Sequence, residues 1–340
     1  MLKTAYQRRF NRLKSFRVCA AFFILSFLSL GITAKAATEP ETITFCRANN
    51  MVSALVYIAE AQGYLREEGL DVTFLTATNG KICQDDLIAG KADMASYAEG
   101  PMTYLSFSPH ALQIVAQMEE NPETSVFARR DHGINQESDI KGKTVGYLPG
   151  TVSYLYLARL VEKLGLSMED MHLVALQPPT MPQALQGGVI DAFIMWEPWG
   201  HQAMQALGDK AIHLRDPKLY NYRALLITTK SFGAEHPARV EHLLRALLKA
   251  ENYIHVHRSE SIAFLSQTTS LDASVLEENW PVTEHKLKLD SSLISLMQDN
   301  ARYISRDDPN FKDKPIPDFR TFIEPKFLRE VAPERVEKGM

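Results

Sequence analysis

Leu87-x-x-Gly90-x-x-Asp93, reaching Glu99-Gly100-Pro101, recurs 98 residues later as Leu185-x-x-Gly188-x-x-Asp191, reaching Trp196-Glu197-Pro198. Leu, Gly, Asp and Glu return at the same offsets. Each copy reads alike: a helical stretch stops at Gly, a short apolar strand follows Asp, and a turn containing Glu and Pro closes it. Loops at the C-terminal ends of strands are where α/β sheets bind ligands. The two copies therefore predict two similar α/β lobes that present loops to a shared cleft.

Outward from the first copy, residues 42–46 and 72–75 read as strands. Between them lies an amphipathic helix over 51–62, with Asn49 and Asn50 as caps and Gly63 as its stop. From 139 onward, Ile140-Lys141-Gly142-Lys143 turns into a strand over 144–148. The loop Pro149-Gly150-Thr151 and a helix over 153–164 follow, then a strand at 172–176 and the second copy of the repeat. Strands alternating with helices predict a largely parallel sheet in each lobe. A strand at 224–228 returns the chain, and the remainder reads as helical and packed on the first lobe. Lobe 2 is then an insertion over 126–228, and lobe 1 is built from 37–125 plus 229–340. Two crossings make a hinge.

Residues 1–36 hold six Lys or Arg before an apolar run at 18–32, and Ala34-Lys35-Ala36 supplies a small-x-small cleavage pattern. This is the layout of a signal peptide, and its apolar run is short of the roughly 20 residues a spanning helix needs. These residues carry seven of the 37 Lys and Arg and none of the 41 acids, so the remainder has a net charge of −11. Such an acidic chain is poorly suited to nucleic acid, whose binding is dominated by phosphate neutralisation. Export into an oxidising compartment also makes Cys46 and Cys83, the two cysteines beyond residue 36, candidates for a disulfide; two unrelated thiols are the alternative.

The sharpest candidate site is Gly150-Thr151-Val152-Ser153. A strand-to-helix junction gathers free N–H groups and the positive end of the helix dipole, which suits an oxyanion; ordinary helix capping would use the same residues. Trp196 offers a flat apolar wall and an indole donor. Glu197 and its repeat-mate Glu99, with Tyr97 nearby, would favour an amine-bearing ligand if they face the cleft, or would salt-bridge across lobes or cap a helix if they do not. Asn49 and Asn50, which follow the first strand, are further cleft candidates by position. The ten His, the Cys and the acids show no catalytic or metal-ligating spacing, and no cofactor motif is present.

Several motifs, taken in order, resemble the periplasmic solute-binding proteins for nitrate, sulfonate and taurine, a superfamily that also holds thiamine-pyrimidine binders and synthases. They are Gly63-Tyr64-Leu65 through Val72, Ala89-Gly90-x-Ala92-Asp93, Ile140-Lys141-Gly142-Lys143 through Thr151, and Gly188 through Trp196-Glu197-Pro198. The resemblance implies a two-lobed periplasmic-binding-protein fold of type II, with two hinge crossings, that hands a small ligand to an ABC permease. It implies ligand contacts near Asn49, Asn50, Gly100, Thr151, Ser153 and Trp196. Glu99 departs from the small polar residues expected in a sulfonate binder, and Cys46 and Cys83 are not recognised features of that family. The cysteine-rich motif and active-site His of the synthases are missing. The expectation is a soluble, monomeric, periplasmic binding protein without catalytic activity. Its rivals are a pyrimidine-synthase-like enzyme on the same fold and a ligand sensor docking on a membrane receptor.

Overall fold

The computed structural model describes residues 40–340; the expected signal peptide lies outside the described residues. Among the described residues, eleven strands form two sheets. The first contains β1 (Glu41–Ala48), β2 (Leu70–Ala77), β3 (Met94–Ala98), β4 (Leu112–Asn121), β10 (Tyr222–Thr229) and β11 (Glu284–Lys288) in the order β11-β4-β10-β3-β1-β2. The second contains β5 (Ser125–Arg129), β6 (Thr144–Tyr147), β7 (His172–Ala175), β8 (Ala192–Met195) and β9 (Ala211–Leu214) in the order β7-β6-β8-β5-β9.

The repeat has a structural meaning. In the first sheet β1 runs parallel to both β2 and β3; in the second β6 runs parallel to both β7 and β8. Asp93 Oδ2 accepts from Thr44 N at 2.7 Å, and Asp191 Oδ2 accepts from Thr144 N at 2.8 Å. Each Asp thus clamps a central parallel strand, within β1 at Thr44 and at the first residue of β6, with a charge-assisted bond, and its own N–H donates back to the same residue's carbonyl at 2.8 Å. The glycines three residues earlier, Gly90 and Gly188, sit at φ +69° and +70°, a left-handed conformation that glycine adopts at little cost.

The sheets are mixed rather than largely parallel, and the crossings explain why. The chain leaves β4 through residues 122–124 and enters the second sheet as β5, antiparallel to β8; it leaves β9 through 215–221 and returns as β10, antiparallel to β3. A chain that has crossed from one sheet enters the next from its far end, so each entering strand lies against its neighbours in reverse. β9 and β11 escape the alternation reading because they are short edge strands. β11 is Glu-His-Lys-Leu-Lys, the charged composition that protects a sheet edge.

Each sheet carries its own apolar cluster. The first includes Phe45, Met94, Ile114, Leu226 and Leu247, and Leu287, Met297 and Phe327 of the C-terminal segment pack into it. The second includes Phe127, Leu155, Phe193 and Ile194. Cys46 and Cys83 are joined in a buried disulfide that ties the end of β1 to helix Gly80–Ile88. No helix among the described residues is long and apolar enough to cross a membrane.

Asp93→Ala and Asp191→Ala are each expected to lower the unfolding free energy by about 2 kcal/mol in denaturant titrations, the loss of a bond to a charged acceptor. The sites lie in different sheets, so the double variant should lose close to the sum.

Candidate functional site

Four strand-to-helix junctions converge on one cavity between the sheets. Asn50 and Val52 follow β1, Gly80 and Lys81 follow β2, Ala98 and Pro101 follow β3, and Thr151 and Val152 follow β6. Trp196 comes from the end of β8, Glu123 from the first crossing and Tyr222 from the start of β10. The cavity measures about 30 Å³, room for one or two waters. Val152 lies in the first turn of helix Val152–Leu164, whose leading N–H groups lack intrahelical acceptors, whereas Lys81 N and Ile82 N are already held by Asn79 Oδ1.

Glycine sets how closely the junctions approach. A Cβ on Gly100 would lie 2.8 Å from Val152 N and 3.0 Å from Thr151 C, so helix Glu99–Leu105 of the first sheet meets helix Val152–Leu164 of the second backbone to backbone. A Cβ on Gly80 would lie 2.4 Å from the Cβ of Tyr97. Gly150 is different: it turns the chain at φ +74° and has open space around it.

Thr151 is the cap of helix Val152–Leu164. Its Oγ1 accepts from Ser153 N at 3.3 Å and donates to Leu148 O at 2.8 Å. Ser153 is fully buried; its Oγ donates to Ile194 O at 2.7 Å and accepts from Leu148 N at 3.1 Å. That hydroxyl fastens the helix to β8 and does not line the cavity. Of the four residues read as an oxyanion loop, the structure brings Thr151 and Val152 to the cavity wall. Asn50 reaches it too, and here the capping expectation fails: its side chain makes no cap bond, and Oδ1 is buried without a partner. Asn49 does not line the cavity; it donates to Ser270 Oγ at 2.7 Å and accepts from Tyr57 OH.

The two repeat-mate acids do not line the cavity. Glu99 is completely buried: Tyr220 OH and Asn300 Nδ2 donate to one oxygen, and Arg223 N donates to the other at 2.8 Å. Asn300 in turn accepts from Arg159 of helix Val152–Leu164 at 2.7 Å, so Glu99 anchors a network spanning both sheets. The motif Glu99-Gly100-Pro101 is the first turn of a helix, not a closing turn. Glu197 Oε2 accepts from His201 N at 2.8 Å, capping helix Trp199–Leu207. Burial pushes its carboxyl up to about 7. Tyr97 is fully buried behind Gly80, away from the cavity.

Trp196 lines the cavity with Nε1 buried and unpartnered among the described residues. The acid that does line it is Glu123, which is 3% exposed. Tyr222 OH donates to Glu123 Oε1 and to Glu119 Oε1, both at 3.1 Å. Burial, then the neighbouring charges of Glu119 and Glu197, push the Glu123 carboxyl well above the usual carboxylate range. Nothing in the sequence singled out Glu123 or Tyr222: Glu123 falls in the polar stretch before the strand at 125–128, and Tyr222 lies just ahead of the strand read at 224–228. The available signal was a Glu-rich run at a crossing, since a crossing forms the floor of any cleft between two lobes.

The family profile described as NMT1/THI5 like matches residues 50–261, more than half of the chain. The chain belongs to that family. A provisionally named aliphatic sulfonates-binding protein of Bacillus subtilis (strain 168) is 23% identical over 289 residues, covering 83% of this chain and 86% of the relative. The 4-amino-5-hydroxymethyl-2-methylpyrimidine phosphate synthase of Schizosaccharomyces pombe is 26% identical over 208 residues, covering 57% and 60% of the two chains. Among solved structures, the periplasmic aliphatic sulphonate binding protein SsuA from Escherichia coli superposes with a TM-score of 0.71 at 21% identity, covering 84% of this chain and 97% of that one. The shared two-lobed α/β fold, with mixed sheets flanked by helices, is the one the sequence motifs implied.

Gly100→Ala is expected to hold the two junctions apart, because the added Cβ meets backbone on the opposite side. Small-angle scattering should give a larger radius of gyration than wild type; an unchanged value would show that the contact does not set closure. For Glu197, a folded-state value of about 7 against an ordinary 4.5 means the folded chain keeps a proton that the unfolded chain has released. This group's contribution to stability therefore falls as pH rises from about 4.5 to 7. Glu197→Gln should gain up to about 3 kcal/mol over wild type at pH 8, at roughly 1.4 kcal/mol per pH unit of displacement, and little at pH 4.

Proposed function

We propose that this chain is an exported, periplasmic solute-binding protein that captures a small organic oxyanion, a sulfonate in the first instance, and delivers it to an ABC permease. The single observation carrying this reading is the convergence of strand-to-helix junctions from two sheets on one cavity beside Trp196. Helix N-termini favour anions through their N–H groups and dipoles. Val152, in the first turn of the 13-residue helix behind Thr151, contributes such an end directly to the wall. Trp196, Val52 and Pro101 would cover the organic part of the ligand. Relatives named as sulfonate-binding proteins support the oxyanion class, and the basic, then apolar, start of the sequence supports export.

In this reading residues 37–125 with 229–340, and residues 126–228, are lobes that part and close about 122–124 and 215–221. The cavity as it stands admits one or two waters, so an organic ligand enters when the lobes separate. The protein acts as a monomer and returns its ligand unchanged. The relative named as a pyrimidine phosphate synthase supports an alternative in which the same cavity does chemistry on a pyrimidine. Mass spectrometry of the bound species decides between these readings, since a binding protein releases the molecule it took up.

A thermal-shift screen of residues 37–340 with alkanesulfonates, taurine, nitrate, bicarbonate, phosphonates and aminopyrimidines tests the class. A ligand at a hundred times its Kd should stabilise the fold by about 2.7 kcal/mol. A rise in Tm with the sulfonates that Trp196→Ala abolishes is the expected result; no rise with any sulfonate would contradict the proposal.

A further inference from the structure

The cavity wall contains three buried polar atoms without hydrogen-bond partners among the described residues: Glu123 Oε2, Asn50 Oδ1 and Trp196 Nε1. Two are acceptors, and an orphaned acceptor out of water is costly unless something donates to it. Glu123 is the most demanding. Its Oε1 has only the Tyr222 hydroxyl, which carries a single hydrogen and also faces Glu119 Oε1 at the same 3.1 Å. Glu119 has other partners, accepting from Asn121 Nδ2 at 3.2 Å and lying 3.1 Å from His285 Nδ1. Arg215, the guanidinium on the Glu123 side, is engaged with Glu278 and Asn279. Lys81 shares the wall but pairs with Asp85 at 2.6 Å. Glu123 is therefore a buried carboxyl with no cation bound to it among the described residues.

We propose that Glu123 is a specificity-determining residue that binds a cationic or N–H-rich nitrogen at one end of the ligand. The oxyanion end sits at the helix junctions, so the preferred solute is a zwitterion or its amino-substituted equivalent. This rests on the oxyanion reading above and adds the second pole. A nitrogen cation at Glu123 supplies the missing donor and the counter-charge together, and charge-assisted bonds in a dry site are the strong ones. Asn50 Oδ1 offers that nitrogen a second acceptor. The groups facing Glu123 are Glu119 on β4, Tyr222 on β10, Glu197 after β8 and Arg215 in the second crossing. Two of the three charged ones are acids, and the third, Arg215, is bonded to Glu278 and Asn279, so the counter-charge is left for the ligand to bring. Capture of a cation leaves the Glu123 carboxylate paired with the ligand.

The test is isothermal titration of wild type and Glu123→Gln with matched pairs: taurine against ethanesulfonate, and 3-aminopropanesulfonate against propanesulfonate. Wild type should prefer the amino member of each pair at least tenfold, and Glu123→Gln should abolish the preference while keeping its Tm. Equal affinity within each pair, or a preference that survives Glu123→Gln, overturns the inference and leaves the oxyanion reading standing. If neither series binds, the oxyanion reading falls, and aminopyrimidine binding decides the rest. Binding lost in Glu123→Gln sustains the nitrogen subsite, and binding unaffected by it, or absent, removes it.

Discussion

The contact at which Gly100 lies against the backbone of Thr151 and Val152 is the constraint on which the site depends. Each sheet carries its own apolar cluster, and the second also takes in Ala48, Val52, Tyr104 and Ala224 from elements of the first. What the cavity requires is that helix starts from both come within a few ångströms of one point. No side chain stands between the two backbones there, so both dipole ends can face the same ligand atoms. The Glu99 network, which links Tyr220, Arg223, Asn300 and through it Arg159, holds the same interface from behind.

This arrangement gives the buried acids distinct roles. Glu99 is fully bonded and works as a cross-lobe anchor, while Glu197 caps a helix. Glu123 is only half satisfied, and it is the one on the cavity wall. An acid with every oxygen occupied has no capacity left for a ligand, whereas an acid with an empty oxygen beside a cavity has a reason to take one. The chemistry of the site follows from where hydrogen bonds are missing more than from where acids are present.

Much of the fold was legible in the residues. The Gly-x-x-Asp repeat marked two equivalent units because Asp93 and Asp191 perform the same backbone clamp, and that clamp fixes their spacing from the strand. Thr151, Val152, Asn50 and Trp196 were placed in the cavity wall by their position at strand ends. The rest depended on non-local geometry. Whether Ser153 faces a ligand or fastens to Ile194 O turns on a partner 41 residues away. Glu99 is claimed by Asn300, 201 residues on. Glu123 and Tyr222 meet only because the two crossings lie side by side, and no local pattern announces that pairing. The edge strand β11 alternates buried His285 and Leu287 with charged residues, but with one aliphatic residue in five it carries too little apolar signal to be read.

A crystal structure of residues 37–340 with a bound aminosulfonate tests the central claim most directly. The account predicts a ligand enclosed by both sheets, its sulfonate at the Gly100 and Val152 helix starts and its nitrogen within hydrogen-bond distance of Glu123. A ligand held by one sheet alone, or with its nitrogen turned away from Glu123, would contradict it.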